Sequence, residues 1–210
     1  MPVIAVDGPA ASGKGTIARA LAKHFGLPHM DTGLLYRAVA LNLWRWGGDP
    51  GNQFEAVRAC GDIGVEPDDP ELRSEPVSKI ASMISAYPSV RAALLTRQQE
   101  FSQQEGGAVL DGRDIGTVIA PNADVKLFVT ATPEVRAQRR LSELETRGMH
   151  VHFDEVLADI RARDERDSTR DVAPLKSAPD AILLDTSALD IQEAVATAIR
   201  LVEERLTNRS

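Results

Sequence analysis

Residues 3–25 read VIAVDGPAASGKGTIARALAKHF, an apolar run, a glycine-crowded loop around one lysine, and a helical pattern. Val3 to Val6 suits a strand buried on both faces. Ile17, Ala18, Leu21, Ala22 and Phe25 recur at helical spacing before Gly26, a helix stop. Between them Gly8, Gly13 and Lys14 fit the spacing GxxxxGK. In such a loop backbone N–H groups curl around phosphate oxygens, and the next helix offers its positive N-terminal end. Glycine is needed because side chains would block that approach. A strand before and a helix after are the context this motif requires, so a merely structural glycine turn is the weaker reading. One position departs from the common form: Gly15 follows Lys14, and the hydroxyl arrives one residue late, at Thr16.

Outward from that loop, short apolar runs alternate with helical patterns, which predicts an α/β fold on a central parallel sheet of about five strands. The further strands are expected at His29 to Asp31, Ala108 to Leu110, Val125 to Thr130 and Ala181 to Leu184, apolar runs that suit a parallel sheet covered on both faces. Leu35, Val39, Leu43 and Trp46 form one more helical stripe; Ile191, Val195, Ala198, Ile199, Val202 and Leu206 form the last, with Ser187 or a neighbour as cap. The core is expected at 1–47, 107–131 and 174–210. A helical insertion, without strands and interrupted at VEPDDPE and at Pro88, fills about 48–106. A lid-like pair of helices fills about 132–173, with Thr132 as cap, Pro133 at the first helical position, Gly148 as stop and a second helix starting near Asp154.

The chain has 210 residues and is 43% hydrophobic, the size of one sizeable domain. Its N-terminus lacks the look of a targeting signal and no run approaches the ~20 apolar residues of a membrane span, so a cytoplasmic protein without a membrane partner is expected. Cys60 is the single cysteine, and the four histidines are not spaced with cysteines as zinc ligands, HVH at 150–152 being the one weak exception. A net charge of −7 argues against a nucleic-acid partner. Yet nineteen of the 24 basic residues are arginine, and Arg136, Arg139, Arg140, Arg147, Arg161, Arg163, Arg166 and Arg170 crowd one segment. Arginine's planar fork suits a small phosphate or carboxylate ligand. Solvated helix faces in a protein rich in arginine codons explain the count equally well.

Two strand ends and one helix carry the remaining candidates. MDTGLLYRA, 30–38, follows the second strand, where ligands of open parallel sheets bind; alone it is simply a helix start, with Arg37 able to reach an anion there. AVLDGRDIGT, 108–117, ends a strand in Asp111, placed as an acid that orients magnesium's water shell. Arg113 and Asp114 follow, suited to reading a phosphate and a base edge or to forming a turn salt bridge. In IRARDERDSTRDVAPL, 160–175, Arg163, Asp167 and Arg170 stand i, i+4 and i+7 on one helix face. A salt-bridge ladder explains that spacing, although arginines outnumber acids across the lid.

Together, GPAASGKGT, DTGLLYR, DGRDIGTV, RDERDSTR, APL and DAILLDTS, in this order, resemble the bacterial cytidylate kinases, a family of nucleoside monophosphate kinases whose loops share the GKGT form. The resemblance runs from Val3 to about Leu206. It implies a three-layer P-loop kinase fold with a monophosphate-binding insertion and a lid, transferring phosphate from ATP to CMP or dCMP with Mg2+. By motif, Gly8, Pro9, Ala10, Ala11, Ser12, Gly13, Lys14, Gly15 and Thr16 would hold ATP, with Thr16 and Asp111 at the metal. Thr32, Tyr36 and Arg37 would border the monophosphate; Ser82, Arg91 and Asp114 would face the cytosine. Asp167 would take the ribose hydroxyls, and Lys14, Arg113, Arg163 and Arg170 would serve catalysis near the phosphates. A monomer is expected. The stretch CGDIGVEPDDPELRSEPVSK is shorter than the family's usual hairpin-bearing segment, so the resemblance is thinnest around Arg73 and the ribose preference stays open.

The acceptor's phosphate oxygen is already ionised at neutral pH, so no Ser, Cys or His nucleophile is required. Two rivals are a kinase for another acceptor, such as UMP, AMP or shikimate, and a nucleotide-binding switch. Against a GTPase switch, no NKxD motif occurs.

Overall fold

A computed structural model describes residues 1–61, 63–64 and 69–208. In chain order the elements are β1 (Val3–Asp7), α1 (Lys14–Phe25), β2 (His29–Asp31), α2 (Thr32–Arg45), α3 (Gln53–Arg58), a 3-10 turn (Pro70–Arg73), α4 (Glu75–Ile84) and α5 (Pro88–Gln103). There follow β3 (Ala108–Gly112), a π-helical turn (Ile115–Ile119), β4 (Val125–Thr130), α6 (Pro133–Thr146), α7 (Phe153–Thr169), β5 (Ile182–Asp185) and α8 (Ile191–Thr207). The strands lie in the order β2-β3-β1-β4-β5, with β1 parallel to β3 and β4, and β4 parallel to β5. Adjacent parallel strands that are distant in sequence require crossovers, which α1 and the intervening helices supply.

By contacts the chain divides into residues 1–30 with 102–210, and residues 31–101. In the first unit, Ile4, Val6, Val109, Val125, Leu127 and Val129 pack against Ile17 and Leu21 of α1 and Ala198 and Val202 of α8. Leu21 is fully buried, a contribution of about 2 kcal/mol. Ala137 and Leu144 of α6 pack on Val156 and Ile160 of α7, with Ala10 and Ala11 of the phosphate loop against them. The second unit has its own core, in which Val39, Leu41, Leu43, Leu72, Ile84 and Leu94 are buried.

The helical pair of residues 132–173 forms as its caps dictate. Thr132 accepts a hydrogen bond from Val135 N–H, Pro133 opens α6, and α7 begins one residue ahead of Asp154. Three expectations change. The cap of α8 is Asp190, not Ser187, because Asp190 and Glu193 form a reciprocal capping box. At the β5 edge Leu183 is 63% exposed, so the expected cover on both faces stops short of that strand. The helix α7 ends at Thr169, which puts Arg170 in extended backbone beyond it. Of the interruption expected at VEPDDPE, Val65 to Asp68 lie outside the described residues; Asp69 caps the 3-10 turn, and Pro88 opens α5.

Candidate active site

The loop after β1 has the backbone its glycines allow. A Cβ on Gly8 would stand 2.0 Å from the Val129 carbonyl oxygen, so only glycine lets the chain turn away from the sheet there. Gly13 (φ 90°) caps α1, and Ala11 (φ 57°) is held in the left-handed region, a strain of the kind found where a loop is built around a ligand. Among the described residues no side chain caps α1, and none gives the buried Ser12 hydroxyl a hydrogen-bond partner. An unanswered buried donor beside an open helix N-terminus suits an anion rich in acceptors.

Asp111, 2% exposed at the end of β3, faces this loop. Its Oδ2 is 4.0 Å from Lys14 Nζ and would be 3.6 Å from a Cβ on Gly15; its Oδ1 is 2.7 Å from His29 Nε2. Thr16 Oγ1 accepts from Arg19 Nη2 at 3.3 Å. The Thr16 hydroxyl and the Asp111 carboxylate are hard oxygen donors of the type Mg2+ takes. Among the described residues no cluster of three or more His, Cys, Asp or Glu could hold a metal alone. These residues therefore fit a cation that brings most of its oxygens as nucleotide phosphate and water.

The turn after β3 meets the end of α7. Arg113 Nε donates to Asp167 Oδ2 at 2.8 Å, and Arg170 Nη2 lies 3.8 Å from Asp114 Oδ1. Arg113 thus pairs with Asp167, not with its neighbour Asp114 in a turn salt bridge. Asp167 is 5% exposed, which is no place for a solvated ladder. Burial alone would raise its carboxyl, but the charges of Arg113, Arg163 and Arg170 outweigh burial and hold it below the usual range. Arg170 joins this group from beyond the helix end, with its Nε on Ala173 O at 2.7 Å.

The arginine cluster splits by role. Arg140, Arg147 and Arg161 make exposed pairs with Glu143 and Glu134, the solvated faces expected of paired charges. Arg136 is buried, bonds both oxygens of Asp164 at 2.9 and 2.6 Å, and donates to Ala131 O and Ala10 O. Arg139 reaches Ser12 O at 3.4 Å and is held by Thr186 O and Oγ1 at 2.7 and 3.0 Å; partial burial lowers its pKa although Asp185 opposes this.

Within residues 31–101, Asp31 caps α2 by accepting from Leu34 N–H, and Thr32 is buried. The Tyr36 ring lies under the Arg91 guanidinium, 5.7 Å from its centroid. Arg91 also donates to Ser85 O at 3.2 Å, and Ser82, buried on α4, receives the Ser85 hydroxyl at its carbonyl. Arg37 turns to Leu72 O and Ser78 Oγ, at 2.9 and 2.6 Å. Within that unit the fold brings Tyr36 and Arg91 together and places Arg37 on the 3-10 turn and α4.

A model of the family described as cytidylate kinase matches residues 4–204. The chain belongs to the cytidylate kinase family. It is 58% identical over 208 residues to a cytidylate kinase of Xanthobacter autotrophicus, covering 99% of this chain and 100% of that one. To a cytidylate kinase of Methylocella silvestris it is 54% identical over 202 residues, 96% and 94% of the two chains. The solved structure of an uncharacterized protein from Eubacterium ventriosum has a TM-score of 0.58 at 12% identity over 97% of this chain and 99% of that one, a likeness of fold alone.

Family membership makes the protein an enzyme, a kinase with nucleotide substrates. Three residues now at the loop escaped the sequence: His29 on Asp111, Thr186 on Ser12 O, and Asp7, whose carboxylate accepts from Ile115 N–H and Gly116 N–H. Asp7 directly precedes Gly8 and could have been noticed there. His29 acts across 82 residues and nothing local marks it; Thr186 acts across 174, and DAILLDTS, which contains it, assigns it no role.

Proposed function

We propose that this cytidylate kinase transfers the γ-phosphoryl group of ATP to the phosphate of CMP or dCMP, releasing ADP and CDP or dCDP. The observation that carries the reading is the buried Asp167 carboxylate among Arg113, Arg163 and Arg170, a grouping with a carboxylate for sugar hydroxyls and guanidinium groups for phosphates.

An acceptor phosphate oxygen attacks the γ-phosphorus while the bond to the ADP oxygen breaks in line, and no general base is needed because that oxygen carries no proton at neutral pH. Gly8 to Thr16 hold the donor's phosphates. Lys14 neutralises the charge spread over the transferring group. Thr16 and Asp111 would hold Mg2+, directly or through water, and its charge would screen the donor's phosphates from the incoming anion. Arg113, Arg163 and Arg170 supply guanidinium charge to the phosphates, and Asp167 accepts from ribose hydroxyls. Thr32, Tyr36 and Arg37 border the acceptor monophosphate; Ser82, Arg91 and Asp114 face the cytosine. Alignment of the two phosphates supplies the remaining acceleration. We also propose that the enzyme works as a cytoplasmic monomer without nucleic-acid or membrane partners.

The test is ADP release from Mg-ATP with CMP, dCMP, UMP, AMP, GMP, shikimate or no acceptor. Turnover confined to CMP and dCMP is expected and gives the ribose preference. Turnover with another acceptor overturns the assignment of Ser82, Arg91 and Asp114, and none with any acceptor overturns the activity.

A further inference from the structure

We infer that His29 is a positioning residue of the phosphate loop, fixing the orientation of Asp111 so that one carboxylate oxygen stays turned toward Lys14 and Gly15. The inference rests on the reading of Asp111 as the acid that orients a nucleotide-bound cation.

The two oxygens of Asp111 have different partners. Oδ1 is 2.7 Å from His29 Nε2, whereas Oδ2 lies 4.0 Å from Lys14 Nζ and beside Gly15. A carboxylate rotates readily about its last torsion, and a single oxygen held by an N–H leaves the other with one direction. The His29 ring is itself held in place by its strand. β2 runs along the edge of β3, and Pro28 O accepts from Val109 N–H at 2.9 Å, which pins the residue before His29 two positions ahead of Asp111. The His29 side chain is 18% exposed and that of Asp111 3%, so little water competes for the oxygen between them. A histidine that only filled space at the sheet edge would have no need to meet this carboxylate. Holding an acid that serves a cation through its outer oxygens is a recognised task of such a partner, and losing it costs ~10-fold or more in metal affinity.

The test compares His29→Phe, His29→Gln and Asp111→Asn with the parent. Two quantities are read: the Mg2+ concentration giving half-maximal rate at saturating ATP and CMP, and ADP affinity by calorimetry with Mg2+ and with EDTA. In His29→Phe the half-saturating Mg2+ should rise ~10-fold, and the gain in ADP affinity due to Mg2+ should fall by a similar factor. ADP affinity in EDTA should stay within about twofold of the parent, since the loop that holds phosphate is untouched. In His29→Gln an amide N–H replaces the ring N–H, and most of the Mg2+ response should return. Should the phenyl variant fail to fold, His29→Asn, too short to reach Oδ1, takes its place. If Asp111→Asn loses the Mg2+ response while His29→Phe keeps it, the positioning role is overturned and the reading of Asp111 stands. If Asp111→Asn keeps the response, that reading falls, and the inference with it.

Discussion

The carboxylate of Asp7 accepts a hydrogen bond from the backbone N–H of Gly116 at 2.7 Å, and a second from Ile115 at 2.8 Å, joining the last residue before the phosphate loop to the turn that carries Arg113 and Asp114. Burial pushes its pKa up to about 6 against the two backbone donors and the attraction of Lys14, with Asp114 adding repulsion. A carboxyl raised on folding stabilises most below its unfolded pKa of 3.8, and that contribution is lost as pH rises through about 6. The loss is on the order of 3 kcal/mol. Urea unfolding of the parent and of Asp7→Asn from pH 4 to 7 should therefore show the parent's advantage widest near pH 4 and shrinking toward pH 7. A gap independent of pH refutes the shift.

The fold was legible where the pattern is local. Each strand starts or ends within two residues of its expectation because apolar runs bounded by Gly, Pro or Asp leave little choice. The phosphate loop was legible for the same reason, since its spacing and both flanks lie within 23 residues. What the sequence hid is long-range. The spacing of Arg163, Asp167 and Arg170 suggested one helix face, but α7 ends at Thr169, and Asp167 meets Arg113 from 54 residues away. The excess of arginine could not be divided into surface pairs, a buried brace and a group around Asp167 until their partners were placed.

The buried brace gives a second prediction. Arg136 is 3% exposed and joins α6 to Asp164 of α7 and to Ala10 of the phosphate loop. Arg136→Met leaves Asp164 and two carbonyls without their donor, and stability should fall by about 2–4 kcal/mol. Asp164→Asn keeps an acceptor for the guanidinium and should lose less. Equal, negligible losses by denaturant titration would mean the brace carries no load.

Lys14 is poised by Asp111 at 4.0 Å and is 15% exposed at its side chain, so its charge is available to a ligand while its stem is packed. Lys14→Met keeps that stem and removes the charge. The expectation is a loss of at least ~10³-fold in kcat with the unfolding midpoint nearly unchanged. Normal turnover by a folded variant removes the loop from the catalytic machinery.

Asp167 separates recognition of the acceptor from recognition of the donor. The carboxylate is buried among three arginines, and Asp167→Ala leaves those charges facing one another without their counter-ion. If the carboxylate serves ribose hydroxyls, acceptor KM should rise by at least ~10-fold, about what one lost charged hydrogen bond costs, and kcat should fall with it. ATP affinity should move much less. A structural salt bridge predicts a different pattern: lower stability, with acceptor KM and kcat intact in the molecules that remain folded. Steady-state kinetics for both substrates at a temperature well below the variant's unfolding transition decides between them, because a salt bridge that serves folding alone leaves the acceptor KM of the folded molecules unchanged.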